Sequence, residues 1–129
     1  MLPDDPPLLR ARNHRELRAW QRAMALVAEI YALSRRFPVD ERFGLTSQIR
    51  RAAVSIPANI AEGHARQGAR EYRQFVSIAR GSLAELETEL AIAERLSYIT
   101  QEDTAAANRY ADEVGRMLST LHARLTERG

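Results

Sequence analysis

The chain contains no cysteine and no lysine. Without cysteine there is no disulfide, no thiol nucleophile and no cysteine-ligated metal. No apolar run approaches the roughly 18–20 residues that cross a bilayer. The opening Met-Leu-Pro-Asp-Asp-Pro-Pro lacks the basic start and apolar stretch of a signal peptide. A cytoplasmic protein with no membrane partner is expected. His14, His64 and His122 show none of the His-x-x-x-His or Glu-x-x-His spacings that metal-binding bundles use. A phosphate-cradling glycine loop and a nucleophile elbow are also missing. The expectation is therefore a non-enzyme with no catalytic residue, no metal and no cofactor.

What is present suits one soluble domain: 129 residues, 45% apolar, with a mean hydropathy of −0.40. All 19 basic residues are Arg. A coding bias toward Arg is the plainer explanation; the functional one is that Arg suits bidentate contacts to carboxylate or phosphate. The net charge of +2 is unevenly spread: residues 1–40 carry +2, residues 41–80 carry +4 and residues 81–129 carry −4. A basic middle and an acidic last third can attract within a bundle or between subunits.

Residues 1–14 hold three of the five prolines and little periodicity, which predicts a flexible N-terminal arm. Residues 15–129 read as the folded domain. From Glu16 to Arg36, Leu17, Trp20, Met24, Val27 and Tyr31 recur at helical spacing, flanked by Ala23, Leu26, Ile30 and Leu33. Phe37-Pro38 stops this helix, and Asp40 is a candidate N-cap for the next. A second helix over about 41–66, loosened near Gly44, carries the seam Leu45, Ile49, Ala52, Ile56, Ile60 and Gly63. A third over about 69–97 turns Tyr72, Phe75, Val76, Ala79, Leu83, Leu86, Leu90 and Ala93 inward. It also carries a mixed stripe of Ile78, Glu85, Glu89, Ile92 and Leu96. Thr100 and Asp103 resemble a capping box ahead of a fourth helix. Nothing reads as a strand. The fold class is all-α, an antiparallel up-down-up-down four-helix bundle. Surplus apolar surface on the first and third helices predicts self-association.

The second helix holds the most informative run, residues 48–63. Pro57 lies in its interior, and Ser47, Arg51, Ser55, Asn59 and Glu62 form a polar stripe drifting toward the core. Pro57 has no N–H for the carbonyl of Ala53, so Ser55 and Asn59 are expected to serve backbone groups near it. A ligand or partner site is the alternative. On the third helix, Glu85 and Glu89 are expected to be partly buried. Arg50 and Arg51 are their candidate partners, within or between chains. A catalytic carboxylate pair is the sharper alternative, with no base, nucleophile or metal set to support it.

Several segments carry a family resemblance. They are Leu17 to Met24, Phe37-Pro38, Gly44 to Gly63 with Arg50, Arg51, Ser55, Pro57, Asn59, Glu62 and Gly63, Phe75 to Ala79, and Gly81 to Thr88 with Ser82, Glu85 and Glu87. Over about residues 16–125 the chain resembles the bacterial four-helix-bundle proteins encoded in intervening sequences of 23S rRNA genes. That family is similar to the accessory bundle protein of diversity-generating retroelements. The resemblance implies a ring-shaped homopentamer and delivers no activity. Two readings stay open: a ring-forming scaffold that acts through protein contacts, and an RNA-binding accessory protein, such as a partner of a reverse transcriptase. Candidate nucleic-acid contacts are Arg66, Arg70 and Arg73 at the turn between the second and third helices, with Arg10, Arg12 and Arg15 in the arm. An origin inside an rRNA gene is no sign of rRNA binding.

Overall fold

The structure is a computed structural model and describes residues 13–128. Arg10, Arg12 and most of the predicted arm lie outside the described residues; Asn13 caps a 3₁₀ turn, His14–Glu16, through its side chain. Four helices follow: α1 (Arg18–Ser34), α2 (Leu45–Ala65), α3 (Ala69–Arg95) and α4 (Gln101–Arg128). A second 3₁₀ turn, Val39–Glu41, precedes α2. There is no strand among the described residues.

Contacts between helices run in opposite directions along each neighbouring pair. Arg22 on α1 bonds Glu113 on α4, whereas Arg36, just past α1, reaches Asp103 in the first turn of α4. Ser55 on α2 meets Ser82 on α3, and Gly63 meets Tyr72 and Phe75. Gly115 on α4 lies against Leu83, and Thr104 bonds Glu94. The bundle is therefore antiparallel throughout, with one core along its axis. Leu26, Ile30, Ile49, Ile56, Ile60, Tyr72, Val76, Leu86, Leu118 and Leu121 lie in it, all essentially without solvent contact. Trp20 is half-buried and packs against this core, consistent with its helical spacing.

Helix ends follow local chemistry. The expected capping box is present: Thr100 Oγ1 accepts from the Asp103 N–H (3.1 Å) and Asp103 Oδ2 accepts from the Thr100 N–H (2.9 Å). The start of α2 differs from expectation. Asp40 falls in the 3₁₀ turn, and the cap is supplied by Glu41, whose Oε1 accepts from the Leu45 N–H at 3.1 Å. The loosening near Gly44 therefore puts the helix start one turn later. Its other oxygen accepts from the Tyr98 hydroxyl at 2.7 Å, tying the α1–α2 connection to the α3–α4 connection. That hydroxyl, together with the Leu45 N–H, holds the Glu41 carboxyl below its ordinary range.

Candidate functional site

α2 runs through Pro57 without interruption, and Pro57 is buried. The residues around it form a closed polar seam against α3. Asn59 Nδ2 donates to the carbonyl oxygen of Ser55 at 2.8 Å and to its Oγ at 2.9 Å. Asn59 thus serves the backbone beside Pro57 as expected. Ser55 does something else: its hydroxyl crosses the seam to the Ser82 hydroxyl at 2.8 Å, because buried Ser82 faces it from α3. The seam closes tightest at Gly63. A Cβ there would lie 2.8 Å from Phe75 Cβ and 2.9 Å from Tyr72 Cδ1, so only a hydrogen fits between the helices.

Farther along α3 the seam is left open. Glu89 is 6% exposed and its Oε1 has no hydrogen-bond partner. Burial, then the neighbouring Glu85 charge, pushes the Glu89 carboxyl above its ordinary range. Glu85 itself is exposed, contrary to the expected partial burial, because Ser82, Leu86 and Glu89 set the packed face and leave it at the edge. The expected pairing with Arg50 and Arg51 is also absent. Arg50 turns the other way, toward α1, and Arg51 is exposed without an ion pair among the described residues. Glu62, expected near the core edge, points to solvent and pairs with Arg66 at 2.9 Å. In the last turn of α2 the packed positions are Ile60 and Gly63, which turn Glu62 outward. Glu87 is exposed on α3, where burial and the charge of Asp112 on α4 raise its carboxyl.

Two groups of arginines stand out. At the α2–α3 turn, Arg66 is held by Glu62 and lies 5.1 Å from the Phe75 ring centroid. Arg70 is exposed and Arg73 half-buried. The second group was missed as a group. Arg42, Arg50 and Arg51 line a groove of about 680 Å³ on the α1–α2 side, together with Tyr31, Phe43 and Val54. No carboxylate lines it. Arg50 is fixed there: its Nε donates to Ser34 Oγ at 2.8 Å and its guanidinium lies 4.7 Å from the Tyr31 ring centroid. The buried Ser34 hydroxyl donates in turn to the Tyr31 carbonyl at 3.1 Å. The only sequence signal for the groove was the excess of Arg over acid in residues 41–80.

The described residues contain no group of three or more His, Asp and Glu that would hold a metal, and no helix long and apolar enough to cross a membrane. The class is a four-helix bundle with a polar inter-helix seam and no strand among the described residues. The chain belongs to the 23S rRNA-intervening sequence protein family, whose profile matches residues 15–120. It is similar to a crystal structure of a protein with unknown function from the S23 ribosomal protein family of Bacteroides thetaiotaomicron. The TM-score is 0.74 at 25% identity, covering 81% of this chain and 97% of that one. No curated protein matches the chain.

Proposed function

We propose that this protein is a non-enzymatic, cytoplasmic scaffold that works as a homo-oligomer, a ring of five copies being the form its family resemblance implies. The observation that carries the reading is the outer face of α3. Ile78, Ile92 and Leu96 are 50%, 42% and 51% exposed there, on the same stripe as Glu85 and buried Glu89. Large apolar side chains spaced along one helical face, beside a buried carboxylate oxygen without a partner, are what a subunit contact would cover. The basic stretch over residues 41–80 (+4) and the acidic stretch over residues 81–129 (−4) provide unlike faces for such a contact. Contact between unlike faces is heterologous, and such contacts form a ring where the rotation between copies closes and a filament where it does not.

A solution mass measurement tests this. The expected result is a stable multiple of 14.6 kDa, lost when Ile78 and Ile92 are both changed to Glu. A monomer at roughly 50 μM, well above the dissociation constants of stable assemblies, overturns it. The nucleic-acid alternative draws mainly on Arg70 and Arg73, since the charge of Arg66 is offset by Glu62. It predicts a gel shift with RNA that falls steeply as salt rises.

A further inference from the structure

The groove between α1 and α2 has no part in that assembly argument. We infer that it is a nucleotide site, with the phosphate held by Arg50 and Arg51 and the base laid against Phe43. Three guanidinium groups share one groove, and none is within ion-pair distance of a carboxylate among the described residues. Four arginines outside the groove, Arg22, Arg36, Arg66 and Arg124, do have a carboxylate; what sets the groove apart is that three guanidinium groups share it with no acid in its lining. Glu41, next to Arg42 in the chain, is engaged by the Leu45 N–H and the Tyr98 hydroxyl. Like charges gathered without a counter-ion repel one another, and an anion in the groove relieves that repulsion.

Arg50 makes the groove a prepared site. Its Nε is used by buried Ser34 and its guanidinium lies over the Tyr31 ring, so its two terminal nitrogens remain as donors in a fixed fork. A fixed planar fork suits phosphate oxygens and loses little side-chain freedom on binding. Phe43 supplies the other half of the ligand's chemistry. Its ring is 86% exposed at the rim, with the Arg42 guanidinium 4.9 Å from its centroid. An exposed ring beside a phosphate-binding fork fits a planar base attached to a phosphate, since base and aromatic stack irrespective of base identity. The ligand is thus a nucleoside phosphate, either free or as one unit of a single strand.

Calorimetric titration with AMP, inorganic phosphate and an oligouridylate tests the site on the full chain. AMP is expected to bind with a dissociation constant of roughly 0.1–1 mM at low salt. Arg51→Ala and Arg42→Ala each weaken it about tenfold. Phe43→Ala weakens AMP about tenfold and leaves inorganic phosphate unchanged. The three residues are exposed, so unchanged urea midpoints separate lost binding from lost folding; Arg109→Ala, at an exposed arginine of α4, is the control and leaves AMP binding intact. Saturable AMP binding assigns the free nucleotide. Binding of the oligouridylate alone, with the same sensitivity to Arg42→Ala and Arg51→Ala, assigns a unit of a strand. The inference is overturned by no binding of either, by binding indifferent to Arg42→Ala and Arg51→Ala, or by an equal loss of AMP and phosphate in Phe43→Ala. An oligoglutamate peptide that binds the groove more tightly than AMP overturns it as well.

Discussion

Ser82 and Glu89 stand two turns apart on the same side of α3, and both are more than nine-tenths buried. Around Ser82 the helices close: its hydroxyl meets Ser55, Asn59 binds Ser55 twice, and Gly63 lets the backbones approach at the far end. Around Glu89 they do not: a carboxylate oxygen has no partner, Glu85 adds like charge, and Ile92 lies exposed one turn on. One interface thus has a half finished except for the Tyr72 hydroxyl, which is buried without a partner beside Gly63, and an unfinished half. Buried polar groups stabilise a fold only where every partner is supplied. The finished half belongs to the single chain, and the unfinished half is where a second copy has something to add.

The finished half should be the easiest to damage. Gly63→Ala places a methyl inside the contact distance of Phe75 and Tyr72, forcing the helices apart at a cost of about 2–3 kcal/mol. Urea denaturation reads this directly, and an unchanged midpoint would show that the close approach is unimportant. Ser82→Ala is next. It removes one of the Ser55 hydroxyl's partners and should cost about 1–1.5 kcal/mol. The double change Ser55→Ala with Ser82→Ala should cost less than the two singles together, because no hydroxyl of the pair is left behind. Strict additivity would break the claim that the two residues form one unit.

The unfinished half should respond with the opposite sign. Glu89→Gln keeps the shape and removes the buried charge, so at pH 7 it should raise stability by about 1 kcal/mol or less. The folded carboxyl titrates above its ordinary value. Between that value and the raised one the native state binds more protons than the unfolded chain, so wild-type stability falls as pH rises through the window. The advantage of Glu89→Gln should therefore shrink as pH falls from 7 toward the ordinary carboxylate range. Asp103 supplies the contrast. The Thr100 N–H and then Arg36 hold it below its ordinary value, so its contribution is present above that value and lost as pH falls through the lowered one. A Glu89→Gln protein less stable than wild type at pH 7 would mean that the carboxylate is satisfied in solution, as it would be in an assembly.

Apolar periodicity made the four helices and their core legible, and Thr100 with Asp103 was legible because a capping box is a local pattern. Asn59 was readable for the same reason, since its partner lies one turn away. The errors came from contacts that span the bundle. Whether Arg50 turns to α3 or to α1 depends on Ser34, sixteen residues earlier, and no spacing within α2 encodes that choice. Glu62 was misplaced because a uniform helical angle ignores how Gly63 redirects the packed face. The groove was invisible for a similar reason: Tyr31 and Arg50 meet only after α1 folds back on α2.

The unfinished half ends on a strained residue, and this supplies the smallest test. Ser97 has φ 62°, the left-handed region that disfavours a side chain. It sits at the left-handed position of a Schellman cap: the Tyr98 N–H bonds the Ala93 carbonyl at 2.9 Å and the Ser97 N–H bonds the Glu94 carbonyl at 3.0 Å. The cap turns the chain so that Leu96 stays exposed while the Tyr98 hydroxyl reaches Glu41. Glycine adopts this conformation without the clash, although it gains freedom in the unfolded chain. Ser97→Gly should therefore stabilise the protein by only about 0.5 kcal/mol. If the strain holds α3 in a shape needed for subunit contact, the same change should weaken assembly while raising monomer stability. A parallel rise in both, measured by urea midpoint and solution mass, would mean that the turn serves only the fold of one chain.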